Sequence, residues 1–172
     1  MAATANETKH SLYDRLYGSI ISPSNVVEFY PDPTLVIDAE GKVVAWNRAM
    51  EIMTGFPAED MIGKGNHEYT LPFYGERIPM LADMVDWPEE KIKDHYTGVS
   101  FNGNKLEAMT IMARLKGRYV VLWGTASKLL GMDGKPIGTI ECIRDVTVQN
   151  SMEEKLRRQN KKLQKTAYPR SR

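Results

Sequence analysis

The stretch from Asp32 to Gly55 constrains the fold of this chain more than any other part of the sequence. Two runs, 34–38 and 42–46, are rich in β-branched or aromatic residues, and Ala39-Glu40-Gly41 lies between them. A glycine at that place suits the positive φ angle of a tight turn, which strains most other residues. The stretch therefore predicts a β-hairpin.

A short helix is predicted directly after the hairpin. The side chain of Asn47 can accept a hydrogen bond from a free backbone N–H of the first helical turn, and Gly55 suits the left-handed residue that ends a helix. Ala49, Met50 and Met53 recur on one side and mark its buried face. Hairpin, helix and helix end are thus encoded within one continuous segment.

Residues at both ends of the region 26–147 resemble those of a PAS domain. At the start, the resemblance is carried by Ile37-Asp38, Gly41, Val43-Val44, Trp46-Asn47, Ala49, Glu51 and Thr54-Gly55. At the end, Gly138-Thr139-Ile140-Glu141-Cys142-Ile143-Arg144-Asp145-Val146-Thr147 resembles the last PAS strand and its Asp-hydrophobic-Thr exit. PAS domains are sensory modules and not catalysts, and this sequence resembles those of prokaryotic sensor histidine kinases.

The resemblance implies an α+β fold of the PAS type. Its five-stranded antiparallel sheet would have the order 2-1-5-4-3, with helices on one face and flanking N- and C-terminal helices. The residues themselves predict the later strands at 105–115, 118–130 and 136–146, because turn signals separate these runs. We therefore divide the chain into a disordered start with an N-terminal helix (1–24), the PAS domain (25–147) and a C-terminal helix with a basic tail (148–172).

Two amphipathic helices are predicted near the ends, over 9–21 and 151–164. Ser151 and Glu154 match a capping box at the start of the second helix. The apolar stripes consist of Leu12, Leu16 and Ile20 in the first helix and of Met152, Leu156 and Leu163 in the second. The first helix would cover its own sheet or pair two subunits. The second would form a short coiled coil or remain a solvated helix beside its domain.

Short helices are predicted between the hairpin and the later strands, and one precedes the hairpin. They are expected at 24–30, at 58–62, after Pro79 and after Pro88. The segment 63–77 mixes glycines, aromatic residues and charges without a single period. It is expected to be an irregular loop that bends around a ligand or around the core.

Composition excludes several classes of protein. A formal net charge of +1 gives the whole chain no attraction to nucleic acid or an anionic membrane. Basic side chains after Glu154 are expected to form a solvated helix face, with phosphate contacts as the alternative. No apolar run approaches the roughly 20 residues that span a bilayer, and the start lacks a signal peptide. A cytoplasmic protein with no nucleic-acid partner and no membrane segment is expected.

No enzyme motif, catalytic residue or metal site is predicted. His10, His67 and His95 are far apart in the sequence, and a surface or hydrogen-bonded role is expected for each. Some PAS domains bind haem through one helical histidine, so haem at His95 is kept as an alternative. Covalent flavin is not expected, because the segment that carries the reactive cysteine in related photosensors reads Gly65-Asn66-His67-Glu68 here. The only cysteine, Cys142, excludes a disulfide and is expected to fill the core or a sheet face.

Seven residues are candidates for functional roles. An irregular loop can turn His67, Tyr69 and Arg77 inward, so these are the polar candidates for a ligand pocket. Trp46 and Trp123 are expected in the sheet or core, with pocket lining as the alternative. The resemblance places Asp145 and Thr147 at the exit of the last strand, where they would couple the sheet to the C-terminal helix.

The expected function is that of a PAS sensory module. It would bind a small ligand or a partner and relay the change through its C-terminal helix to an output such as a histidine kinase. A homodimer is expected. No histidine lies in the predicted C-terminal helix and no ATP-binding segment follows it, so kinase activity would require a longer parent protein. The alternative is a ligand-free PAS module for dimerisation or protein interaction.

Overall fold

The computed structural model describes residues 23–167, with the side chains at 23, 111, 112 and 165–167 left out. The predicted disordered start and the N-terminal helix at 9–21, with its stripe of Leu12, Leu16 and Ile20, lie outside the described residues. His10 and the last five residues of the basic tail lie outside them as well.

A hairpin and a group of short helices precede a long run of strands and a final helix. In chain order the elements are α1 (Pro23–Glu28), β1 (Thr34–Asp38), β2 (Val43–Trp46), α2 (Arg48–Thr54), α3 (Ala58–Met61), a 3₁₀ turn (Glu68–Thr70), α4 (Leu71–Tyr74), a second 3₁₀ turn (Leu81–Met84), α5 (Glu89–Lys93), β3 (Thr97–Asn102), β4 (Lys105–Leu115), β5 (Arg118–Leu130), β6 (Pro136–Asp145) and α6 (Thr147–Ala167).

The sheet has six antiparallel strands in the order β2-β1-β6-β5-β4-β3. The predicted count of five was wrong by one, because β3 pairs with β4 across the turn at Gly103. Without this edge strand, the order is the predicted 2-1-5-4-3. Most of β3 is exposed to solvent. An edge strand of this kind lacks the apolar alternation that reveals a strand in a sequence.

The local signals around the first hairpin behave as predicted. Gly41 adopts a φ of 75°, and the Asp38 carboxylate accepts the N–H of Lys42 at 2.8 Å. Asn47 is 1% exposed, and its Oδ1 accepts the N–H of Met50 at 2.9 Å. The same oxygen accepts the N–H of Thr34, also at 2.9 Å, so this cap fastens α2 to β1.

The helical elements between residues 63 and 85 differ from the prediction, and each is only three or four residues long. The segment 63–77, expected to be an irregular loop, contains a 3₁₀ turn and α4. The helix expected after Pro79 is only the 3₁₀ turn Leu81–Met84. The Thr70 hydroxyl donates to the Glu76 carbonyl at 2.9 Å, which closes the segment that contains α4. Side-chain hydrogen bonds outside the regular helical spacing therefore help to set these elements, and the period of the sequence does not predict them.

The core lies between the helices and one face of the sheet. Its first cluster includes Trp46, Met50, Tyr69 and Phe73, each at most 2% exposed. Burying each such side chain contributes about 1.5–3 kcal/mol before conformational entropy is counted. A second cluster lies nearer β3 and contains Leu81, Met84, Ile92, Tyr96 and Leu106, together with Ala108 and Ala126.

The final helix begins earlier than predicted. It runs from Thr147, so Ser151 lies inside it and does not cap its start. The reason is the Asp145 carboxylate, which accepts the N–H of Thr147 at 2.9 Å. An apolar stripe on this helix is exposed, consisting of Val148, Met152, Leu156 and Leu163. None of the helices in the described range is long and apolar enough to cross a membrane.

Candidate functional site

An open cleft of about 420 Å³ lies where the ends of α4 and α5 meet strands β4 and β5. Three tyrosines line it, and we call it the tyrosine cleft. They are Tyr74 at the end of α4, Tyr96 after α5, and Tyr119 at the start of β5. A volume of this size is within the range of pockets that hold small molecules.

The floor of the tyrosine cleft is made of hydroxyl groups. The Tyr74 and Tyr96 hydroxyls lie 3.2 Å apart, and the Thr110 side chain hydrogen-bonds to Tyr74. Burial raises the pKa of Tyr74 to about 12, and burial also raises that of Tyr96. Both phenols therefore keep their protons at neutral pH. Because a hydroxyl both donates and accepts, this floor can bind a carbonyl, carboxylate or hydroxyl oxygen.

The mouth of the cleft carries charges of both signs. Arg114 on β4 places its guanidinium over the ring of Tyr119, 5.3 Å from the ring centroid. Two acidic residues, Glu76 and Asp94, line the same cleft, as does His95. Tyr119 is 73% exposed, so the part of its ring that Arg114 does not cover is open to solvent.

A buried carboxyl group lies in the core on the central strand β6. Glu141 is 2% exposed, and its Oε2 accepts the N–H of Ala82 at 2.7 Å. Burial raises the pKa of Glu141 to about 8; the hydrogen bond from Ala82 lowers it, and the charge of Asp83 raises it. This group is therefore mainly protonated at pH 7, and it fastens the second 3₁₀ turn to the middle of the sheet.

Asp83 fastens the same 3₁₀ turn to the segment before α4. The Tyr69 hydroxyl donates to its Oδ1 at 2.6 Å, and the N–H of Met80 donates to its Oδ2 at 2.8 Å. His67 Nε2 lies 3.5 Å from Oδ1. Burial and the hydrogen bond to Asp83 raise the pKa of Tyr69, so its phenol stays protonated. The turn is thus held on one side by β6 and on the other by residues 67–69.

Strand β5 connects the tyrosine cleft to the start of α6. Val121 lies two residues after Tyr119 in β5. Its N–H donates to the Thr147 hydroxyl at 2.9 Å, and its carbonyl accepts the N–H of Val146 at 2.9 Å. The Thr147 hydroxyl in turn donates to Asp145 at 2.5 Å. The two residues predicted to couple sheet and helix therefore form the junction, although their role in signalling stays a prediction.

The other predicted residues are distributed over several places. The rings of His67 and Tyr69 are in contact, with their centroids 6.0 Å apart. Arg77 pairs with Glu68 at the surface. Trp46 is a core residue whose indole N–H donates to the Phe56 carbonyl at 3.0 Å.

Trp123 faces away from the helices, in a groove between the outer face of the sheet and α6. It does not lie on the face of the sheet that the short helices cover. The tyrosine cleft is lined by none of the five predicted pocket residues. Whether any of them contacts a ligand stays a prediction.

Sequence reasoning missed Glu141 and the residues of the cleft. Period-two alternation along β6 places position 141 on the same face as Ile143, which is buried. The alternation of the sequence therefore contained a signal that this acid is buried. The cleft residues come from the segment at the end of α4, the segment after α5 and the β4–β5 hairpin, and no local pattern indicates that Tyr74 and Tyr96 meet.

In the part of the chain that the structure describes, no group of three His, Cys, Asp or Glu side chains could hold a metal ion. His95 lines the cleft, with its ring 6.0 Å from that of Trp87. Haem ligation by His95 stays a prediction. Burial raises the pKa of Cys142, which lies on the sheet 3.4 Å from the Thr34 hydroxyl.

Comparison with known proteins found one family model and several solved structures that are similar to this chain. A family model described as PAS fold matches residues 23–71. The search of curated proteins found no match. Among solved structures, the PAS domain of Bordetella pertussis BvgS is 20% identical, with coverage of 87% of this chain and 98% of that chain and a TM-score of 0.49. A PAS domain from Colwellia psychrerythraea is 18% identical, with coverage of 72% and 93% and a TM-score of 0.47.

A third structure supports the assignment of the fold. It is an RNA-binding light-oxygen-voltage receptor, 14% identical, with a TM-score of 0.60. The match covers 90% of this chain but only 39% of the receptor. The match over 23–71 includes the hairpin and α2, which carry the first part of the sequence resemblance, and the later strands complete the expected order. This chain is therefore a PAS-fold protein.

Proposed function

We propose that this chain is a sensory module that binds a small molecule in the tyrosine cleft and passes the change to α6. The observation that carries the proposal is the path along β5. Tyr119 lines the cleft, and Val121 bonds to both Val146 and Thr147 at the start of α6. A ligand that moves the start of β5 would therefore act on hydrogen bonds that hold α6.

The energies involved are adequate for a switch. An intramolecular hydrogen bond contributes about 0.5–1.5 kcal/mol net, and a ligand shifts an equilibrium by its difference in affinity for the two states. Loss or gain of the Val121–Thr147 bond alone would change the population of a docked α6 by roughly 2- to 10-fold. A helix with an exposed apolar stripe would carry this change to an output domain or partner, of which a histidine kinase is one possibility. The proposal assigns no catalytic step to this chain.

Native mass spectrometry and an absorption spectrum of freshly purified protein test ligand binding directly. We expect a mass above that of the polypeptide, lost on denaturation, and a loss of the extra mass in Tyr96→Phe. Tyr119→Ala removes an exposed wall of the cleft and should also reduce occupancy. Ser127→Ala, a change on the outer face of the sheet, is the control and should leave occupancy unchanged. If both cleft variants still carry the extra mass of the bound molecule, the ligand lies elsewhere and the proposal is wrong.

The exposed stripe of α6 favours a second function, ligand-free dimerisation. Val148, Met152, Leu156 and Leu163 are each more than half exposed on an otherwise charged helix. Two copies of this helix would bury the stripe against each other. The core of the domain is also filled by large side chains such as Trp46 and Phe73.

Light scattering separates this second function from the first. A homodimer that depends on the stripe should become monomeric in the double variant Met152→Ser/Leu156→Ser. Glu153→Ser, a change on the same helix but outside the stripe, should remain dimeric. A monomeric wild-type chain would remove dimerisation through α6 as a function.

A further inference from the structure

Charges of both signs line the tyrosine cleft without neutralising one another. Glu76 and Asp94 are carboxylates and Arg114 is a guanidinium, and all three line the same space. Among residues 23–167, none of the three belongs to an ion pair within 4.0 Å. The cleft therefore offers separate binding points for a negative and a positive group.

The basic residues next to these two acids in the sequence form ion pairs with other acids. Arg77 follows Glu76 in sequence but pairs with Glu68, and Lys93 precedes Asp94 but pairs with Glu89. Each adjacent cation is thus already engaged with another acid. The two cleft carboxylates keep their charge available, and a protonated amine, with three N–H donors, suits such acceptors.

The opposite group would be bound by Arg114. Its guanidinium rests against the ring of Tyr119, which restricts its orientation before any ligand arrives. A preorganised guanidinium loses less entropy on binding, and its fork of N–H donors matches a carboxylate. The hydroxyls of Tyr74 and Tyr96 are bonded to each other, which uses one of their two protons, so this pair adds one donor for an oxygen that reaches the floor.

We infer that the ligand of the tyrosine cleft is a small zwitterion that carries both an ammonium and a carboxylate group, such as an α-amino acid. This inference rests on the proposed function. Two carboxylates against one guanidinium give the mouth an excess of negative charge, so a simple anion is repelled. A simple cation leaves Arg114 without a partner. A molecule with both charges satisfies both sides, and a cleft of about 420 Å³ suits a molecule of that size.

Titration calorimetry with the full chain tests the inference. The probes are the twenty standard amino acids, with propionate and propylamine as probes that carry one charge each. Ligand carried over from purification is first removed by unfolding and refolding. We expect at least one amino acid to bind, and both single-charge probes to bind at least tenfold more weakly. Arg114→Gln should weaken the amino acid at least tenfold.

A matched control is available on the same β4–β5 hairpin. Arg118→Gln removes an exposed arginine that does not line the cleft, and it should leave binding unchanged. Arg114→Lys keeps the charge but loses the fork, so it should also weaken binding. Circular dichroism confirms that each variant is folded, and if Arg114→Gln is not, Arg114→Lys and Glu76→Gln decide the question.

The outcomes separate this inference from the proposed function. The inference of a zwitterionic ligand is wrong if no amino acid binds. It is also wrong if an amino acid binds equally well to Arg114→Gln. If native mass spectrometry then still shows a bound molecule that Tyr96→Phe releases, the sensory proposal stands with another class of ligand. If no bound molecule is found and no amino acid binds, both fail.

Discussion

Replacing the buried acid Glu141 by glutamine should make the protein more stable at high pH. Glu141 is 2% exposed on the central strand and accepts the Ala82 N–H. Glutamine has nearly the same shape, and its side-chain oxygen can accept the same hydrogen bond. The substitution therefore removes only the ability to ionise.

The magnitude follows from the raised pKa. In the unfolded chain this carboxyl has a pKa near 4.5, and burial raises it to about 8 in the folded protein. Because the folded state binds the extra proton, its stabilising effect is fully present below pH 4.5 and is lost as the pH rises through 8. At about 1.4 kcal/mol per pH unit, the wild type should lose about 5 kcal/mol across this window, and about 3 to 4 kcal/mol by pH 7. Glu141→Gln avoids this loss.

Urea unfolding followed by tryptophan fluorescence at pH 5, 7 and 8.5 measures the effect. The variant should match the wild type at pH 5 to within about 1 kcal/mol and exceed it by several kcal/mol at pH 8.5. Glu107→Gln is the control, because Glu107 is partly exposed and pairs with Lys105 at 2.6 Å, a contact that contributes at most about 1 kcal/mol. Two parallel pH profiles for wild type and Glu141→Gln would refute the assignment of a buried, protonated acid.

Three further substitutions test how the fold is fastened. Thr147→Val leaves the N–H of Val121 without its acceptor, so it should cost about 1–3 kcal/mol and speed amide exchange at the start of α6. Asn47→Ala removes a cap and three further hydrogen bonds, so its loss in urea unfolding should exceed the roughly 0.5–2 kcal/mol of an ordinary cap. In Gly138→Ala the new Cβ would lie 2.2 Å from the Ile37 carbonyl oxygen, so a large fall in Tm or loss of folding is expected.

Each of these substitutions has a matched control. Ser151→Ala lies on α6 beyond its first turn, and Glu40→Ala lies in the hairpin turn; both should change stability by about 0.5 kcal/mol or less. Gly124→Ala brings a Cβ to 3.0 Å from the Leu81 side chain and 3.1 Å from Glu141 Oε1, contacts that are longer than 2.2 Å and involve side chains, so it should be milder than Gly138→Ala. Equal losses in variant and control would contradict the corresponding hydrogen bond or close approach.

The parts of the fold that the sequence predicts are those whose signals are contiguous. Gly41, Asn47 and Gly55 act on neighbouring residues, and the hairpin and α2 form where they were expected. The strands β4 and β5 were predicted to the residue because tight turns bound them. By contrast, β3 is fixed by pairing at an exposed edge, and the start of α6 by Asp145 on the preceding strand.

The candidate site depends on contacts that no local pattern encodes. Tyr74 and Tyr96 meet because α4 packs on β4 and α5 packs on the neighbouring edge strand β3. The irregular segment around His67 predicts polar groups that point inward, and Tyr69 is fully buried. Its hydroxyl donates to Asp83, a residue that no sequence motif marks.

Amide hydrogen exchange at the start of α6 tests the central claim most directly. Freshly purified protein is compared with protein stripped of small molecules by unfolding and refolding, and the peptides that contain Val121 and residues 147–155 are followed. The proposed coupling predicts a difference in exchange at both places, with Thr147→Val abolishing the difference on α6. If the fresh protein carries a bound molecule that the stripped protein lacks, and amide exchange is nevertheless identical in the two, the tyrosine cleft and α6 are not coupled.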